Sequence, residues 1–255
     1  MAVDANVLRR PNSDVVRRPA ADARRRPSDR GLFLWAAILF PLFVLVGYFK
    51  SYYFSAFFDV RPIANSLVHA HGVVMSVWVL YFSAQVALVR SKNVRLHRRM
   101  GMAGVGLAAL VVVVGLATAY DAHLVRGAAP AGLNPHGFLL IPLFDMLLFV
   151  LFFGAAVYYR RRPAEHKSLM LLTAINFLPA AVGRIPLAPA EYMILWAFGV
   201  PAVLALACLG WHTAKHGRLN RVFAAGVLLL IASGPLRIII AGSQTWLELA
   251  ARLAP

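Results

Sequence analysis

The chain has 255 residues, of which 60% are hydrophobic, and a mean hydropathy of +0.69. A water-soluble globular domain of this length does not carry that apolar excess, so the composition points to a membrane protein. The net charge of +16 does not argue for nucleic acid, because 20 of the 26 Lys and Arg fall in the N-terminal segment and on every second connection between apolar runs. That distribution is the one that orients a chain in a bilayer.

Residues 1–30 hold eight arginines and three copies of Arg-Arg-Pro, at 9–11, 17–19 and 25–27. Proline and like charge leave nothing to bury, so a disordered cytoplasmic tail is expected here. Such a tail can lie on anionic lipid, at ~1 kcal/mol per basic residue near the surface. A cleaved signal peptide is not expected. The first apolar run, 31–49, is too long for one, and no small-x-small cleavage site follows it.

From residue 31 onward the sequence predicts one transmembrane domain, 31–255. Crossing a ~30 Å hydrocarbon core takes ~20 apolar residues. Seven runs qualify: 31–49, 66–89, 101–120, 137–159, 168–185, 192–211 and 222–241. Helices are expected, since a spanning strand needs only ~10 alternating residues. The basic residues place the N-terminus inside and the C-terminus outside. The expected fold is therefore an all-α, polytopic bundle of seven transmembrane helices. Cys208 is the one cysteine, so no disulfide and no Cys-x-x-Cys-His haem attachment can form.

Two stretches repeat a pattern. His71-Gly72 opens a run that ends at Arg90-Ser91-Lys92 and leads to Leu96-His97-Arg98-Arg99-Met100. His136-Gly137 opens another that ends at Arg160-Arg161-Arg162 and leads to Glu165-His166-Lys167-Ser168-Leu169-Met170. Helices 2–3 and 4–5 thus read as related hairpins with a histidine at each membrane face. Two facing imidazoles suffice to ligate a haem. The candidate haem b ligands are His69 or His71 with His136 outside, and His97 with His166 inside.

His69 and His71 are two residues apart and point ~200° from each other on a helix. Helical phase favours His69 inward, on a small polar stripe with Asn65, Gly72, Ser76 and Ser83. His71 shares its face with Met75, Trp78, Phe82 and Gln85. With His123 and His136 the same His-x-His pair also suits copper or zinc. The plainer reading leaves these histidines bonded to headgroups or loop carbonyls, with no cofactor. His212 and His216 receive no role.

Asp145 lies about two turns into the fourth run. A charge inside a bilayer costs ~2.5–3.5 kcal/mol at the centre on insertion scales, so it pairs or functions. Arg184 and Arg237 fall at comparable depth, and Glu191 begins the sixth run. Asp145 is expected to pair with Arg184 or Arg237. Such a pair either closes the bundle or forms a proton or anion pocket, and arginines can also clamp a carboxylate through bidentate bonds.

The segments His69-Ala70-His71-Gly72, Trp78, Gln85, Leu96-His97-Arg98-Arg99-Met100-Gly101, His166-Lys167-Ser168-Leu169-Met170 and Ser233-Gly234-Pro235-Leu236-Arg237 resemble a family of uncharacterised bacterial multi-spanning proteins. The resemblance runs from the first helix to the C-terminus and implies a polytopic inner-membrane protein. The histidine placement alone resembles b-type di-haem membrane cytochromes, which implies electron transfer across the bilayer.

The expected function is a haem- or metal-binding membrane protein handling electrons. The rival is a cofactor-free protein, a small-molecule transporter or a subunit of a larger membrane complex, with the Asp145 cluster as its polar core. Its expected partners are the lipid bilayer, anionic lipid and other membrane subunits, not nucleic acid. A retinal protein is excluded because the seventh run has no lysine for a Schiff base. Inverted repeats typical of transporters are not seen, since the two hairpins run in the same direction.

Overall fold

A computed structural model describes residues 29–60, 62–130 and 132–255. The expected disorder of the arginine-rich tail falls on residues outside that set, except at its end. There Asp29 is buried and Arg30 opens the first helix, so the folded domain starts two residues earlier than the apolar run.

Among the described residues the regular structure is entirely helical. The main helices are α1 (Arg30–Gly47), α2 (Ser66–Arg90), α3 (Val94–Tyr120), α4 (Pro135–Phe138), α5 (Leu140–Tyr158), α6 (Pro163–Asn176), α7 (Leu178–Val182), α8 (Met193–His216), α9 (Arg221–Ala241) and α10 (Gln244–Leu253). Their starts are written locally. The side chains of Asn65, Asn93, Asn134, Asn220 and Ser243 accept hydrogen bonds from amides of the first turns of α2, α3, α4, α9 and α10, each worth roughly 1 kcal/mol. α8 stops at Gly217, whose φ of +66° is left-handed and suits a residue without Cβ.

Five helical stretches are long and apolar enough to cross a membrane: Ser66–Arg90, Val94–Val125, Pro135–Arg161, Met193–His216 and Arg221–Ala241. The Gly31–Gly47 helix is apolar but shorter. Large apolar side chains face outward along these helices, among them Leu80, Val113, Leu195, Val203 and Leu228. An outside this apolar needs lipid rather than water against it. The protein is thus an all-α membrane protein.

The fifth run, expected as one continuous helix over 168–185, is instead broken. α6 ends at Asn176, Phe177 makes a turn and α7 restarts at Leu178. Pro179 lacks the amide that would continue the ladder back to Ile175, and its ring crowds that carbonyl. α10 is a second departure. It is a short C-terminal helix beyond the last apolar run, held by Trp246 Nε1 donating to the His136 carbonyl (2.9 Å) and Tyr120 Oη donating to the Leu253 carbonyl (3.3 Å).

α2 packs on α3, α5 on α6, and α3 on α5, while α9 closes against α5, α6 and α8. The centre is filled by Trp78, Val111, Leu148, Phe149 and Leu172. Trp78 meets Phe149 edge-on at 5.0 Å, and Phe149 meets Phe177 at 4.9 Å between centroids. Gly72 lets the Tyr52 ring cross α2, where a Cβ would overlap the phenol. The start of α1, the α2–α3 and α5–α6 turns and the α8–α9 turn share one end of the bundle, as contacts of Asp29 with Lys167 and His216, and of His97 with His166, require. This end carries the arginine and lysine clusters and is called the basic end below.

Candidate metal centre

Asp29 sits at the N-cap of α1, but its side chain does not cap that helix. The carboxylate turns away from its own amides and enters a notch between α6 and α8, where 1% of the side chain is exposed. Three side chains meet it. Lys167, in the second turn of α6, forms an ion pair with Oδ2. His212 brings Nδ1 to 3.3 Å from Oδ2. His216 brings Nε2 to 3.0 Å from both carboxylate oxygens.

Helix periodicity makes this possible. Residues four apart share a face, so the rings of His212 and His216 lie nearly side by side, 4.3 Å between centroids and 33° between planes. Phe223 of α9 backs His212 edge-on at 6.0 Å. Both imidazoles occupy the last two turns of α8, where the helix dipole is negative and favours cations. Burial pushes the Asp29 carboxyl up. Hydrogen bonds from Lys167 and His216, with their charges, outweigh that and hold it below the usual value.

Asp29, His212 and His216 each place one ligand atom within 4.8 Å of the others, and among the described residues they are the one such group of three. Metal–ligand bonds of about 2.0–2.2 Å limit ligand spacing to about 4.4 Å, a side-chain adjustment away. Two imidazole nitrogens and a carboxylate oxygen suit zinc or a neighbouring divalent transition ion and leave coordination positions open. The His-x-x-x-His spacing was legible; Asp29, placed in the tail, was not.

The expected outer metal set is not gathered. His69 is exposed and bonds Tyr52 Oη through Nδ1 at 3.3 Å. His123 is buried, with Nδ1 2.6 Å from the Ala128 carbonyl. The main chain of His136 is taken up by the α4 cap and by Trp246. The inward histidine of the His-x-His pair is His71, not His69, because Tyr52 packs on the opposite side of this turn; His71 Nδ1 is buried.

The inner pair, by contrast, is adjacent. His97 and His166 rings lie 6.4 Å apart at 75°. His166 Nδ1 contacts the Ala156 carbonyl near the end of α5 at 2.8 Å.

Asp145 pairs with Arg237, whose Nη1 donates to Oδ1 at 2.5 Å. Arg237 also donates from Nε to the Ser233 carbonyl (3.1 Å), from Nη2 to Ser233 Oγ (3.0 Å) and from Nη1 to the Ile141 carbonyl (3.4 Å). Phe144 and Phe198 cover its faces. Arg184 and Glu191 do not join this cluster. Arg184 is exposed, donates to the Ala180 carbonyl and lies over Tyr48, since the turn after α7 carries it outward; Glu191 is exposed at the start of the next helix.

No protein-family model, curated protein or solved structure matches this chain.

Proposed function

We propose that this is an integral membrane protein that binds a divalent transition metal at its basic end, through Asp29, His212 and His216. The observation that carries the reading is the convergence of three ligand atoms from two elements 183 residues apart, around a carboxylate with 1% exposure. A bound ion would tie the start of α1 to the end of α8 and keep open positions for further ligands. Metal binding needs an ionised carboxylate and neutral imidazoles. The depressed Asp29 supplies the first.

The chain is read as crossing a bacterial inner membrane seven times, with α4–α5 and the broken α6–α7 each forming one crossing. The basic end then faces the cytoplasm and the C-terminus lies outside. The alternation of basic connections along the chain supports this orientation. A metal ion is preferred to a haem relay because the space between the two histidine levels is filled by Trp78, Phe149 and Leu172. The Asp145–Arg237 pair is read as structural, because all three nitrogens of the guanidinium are bonded within the protein.

Purified, metal-stripped protein in detergent tests the reading by titration with zinc and elemental analysis. One zinc per chain is expected, weakened at least tenfold in His216→Ala and in Asp29→Asn. Equal zinc uptake by wild type and both variants would sink it.

A further inference from the structure

His97 and His166 meet where α3 and α6 begin, at the basic end, with ring centroids 6.4 Å apart and planes at 75°. Their surroundings decide which nitrogens can bind. The Ala156 carbonyl can only accept, so His166 Nδ1, 2.8 Å away, carries the proton and Nε2 keeps the lone pair. A backbone carbonyl on the far nitrogen is the usual support of a metal-ligating histidine. His97 Nδ1 is buried with no hydrogen-bond partner among the described residues, whereas buried polar atoms are nearly always bonded. Metal–nitrogen bonds of about 2.0–2.1 Å, with each ring centre about 1 Å behind its nitrogen, put two imidazole centres about 6 Å apart across a linear ion. The separation of these two rings matches that span.

Each histidine is followed on its own helix by a methionine. Met100 lies three residues after His97, and Met170 four after His166, the spacings that share a helix face. Both helices run inward from the basic end, so these methionines lie about one turn deeper than the rings. Both are half-buried, and Tyr81 donates to the Met100 carbonyl and holds that turn. Methionine is flexible enough to adjust its sulfur to a neighbouring ligand. The ligand types select the ion. Thioethers are soft and favour Cu(I), and imidazole also suits copper. Arg98, Arg99 and Lys167 adjoin the pair in sequence, so a monovalent ion meets about half the repulsion of a divalent one.

We propose that His97 and His166 bind one cuprous ion, with Met100 and Met170 completing its coordination. All four ligands are neutral, which suits a single positive charge. The Asp29 centre instead offers a carboxylate, which suits a divalent ion. The two sites share no ligand, and this inference does not depend on the other.

The test titrates metal-stripped, full-length protein in detergent with cuprous ion, without oxygen, against a chromogenic cuprous chelator. One copper per chain is expected, and X-ray absorption should show both nitrogen and sulfur bound to it. His166→Ala should weaken binding at least tenfold. Met100→Leu combined with Met170→Leu conserves volume and keeps the fold, and it too should weaken binding at least tenfold. His216→Ala should leave cuprous binding unchanged, which separates this site from the divalent centre. The proposal is overturned by any of four results: no copper taken from the chelator, copper without sulfur, binding unchanged in the methionine variant, or binding lost in folded His216→Ala.

Discussion

Asp145 and Asp29 are both largely buried carboxylates that face a cation, one toward the apolar interior of the bundle and one at its basic end. Their surroundings differ in what is left to bond. Arg237 has every nitrogen bonded to the protein and phenyl rings over both faces, so the cation of the Asp145 pair has no unbonded nitrogen to offer. Asp29 faces one lysine and two imidazoles. Imidazoles gain and lose protons near neutral pH and are common metal ligands. The contrast teaches that burial of a charge does not make a site; exchangeable partners do.

Four measurements break or sharpen that contrast. The largest effect is expected for Arg237→Ala, which strands the Asp145 carboxylate in the interior. Removing one partner of a buried pair costs about 3–5 kcal/mol, read as loss of unfolding free energy in detergent. The joint change Asp145→Leu with Arg237→Met should recover most of that loss. Failure to recover would show that the pair does more than close the bundle.

Next is metal. Zinc at a hundredfold excess over its dissociation constant should stabilise wild type by about 2.7 kcal/mol, measured as a rise in unfolding temperature. The rise should be absent in His212→Ala, while the Arg237 variant, if folded, should retain it.

Smaller still is Asp29→Asn without metal. It removes the carboxylate charge facing Lys167 and disrupts hydrogen bonding at a buried site, with an expected cost of about 1–3 kcal/mol. A cost within error of zero would show that the cluster does not hold α1 in place.

The mildest effect concerns acid. The folded carboxyl of Asp29 lies below its usual value, and the unfolded group titrates near 3.9. Its stabilising contribution is therefore complete above that pH and is lost as pH falls through the lower folded value. Asp29→Asn should flatten this acid limb of the stability–pH curve. An unchanged limb would place the acid sensitivity elsewhere.

Much of this was legible in the sequence because it is local. Apolar length marked five of the seven expected spans, and asparagine or serine before α2, α3, α4, α9 and α10 marks their starts. Pairing of Asp145 with one of two arginines followed from the cost of a lone charge in lipid. The choice of Arg237 over Arg184 did not follow, because the turn after α7 carries Arg184 to the surface. The same limit hid the metal centre. His212 and His216 announce a shared face by their spacing, but the third ligand comes from the far end of the chain.

The sequence by itself determined that this chain is helical, apolar on its outside and asymmetric in charge, since these depend on composition and on periods of a few residues. Only the tertiary structure decided which histidines meet, which arginine is buried and that Asp29 belongs to the fold. Those outcomes turn on where helices begin, break and cross, and a shift of one residue on a helix turns a side chain through about 100°. At His69 and His71, two residues apart, that rotation separates an exposed ring from one whose Nδ1 is buried in the bundle.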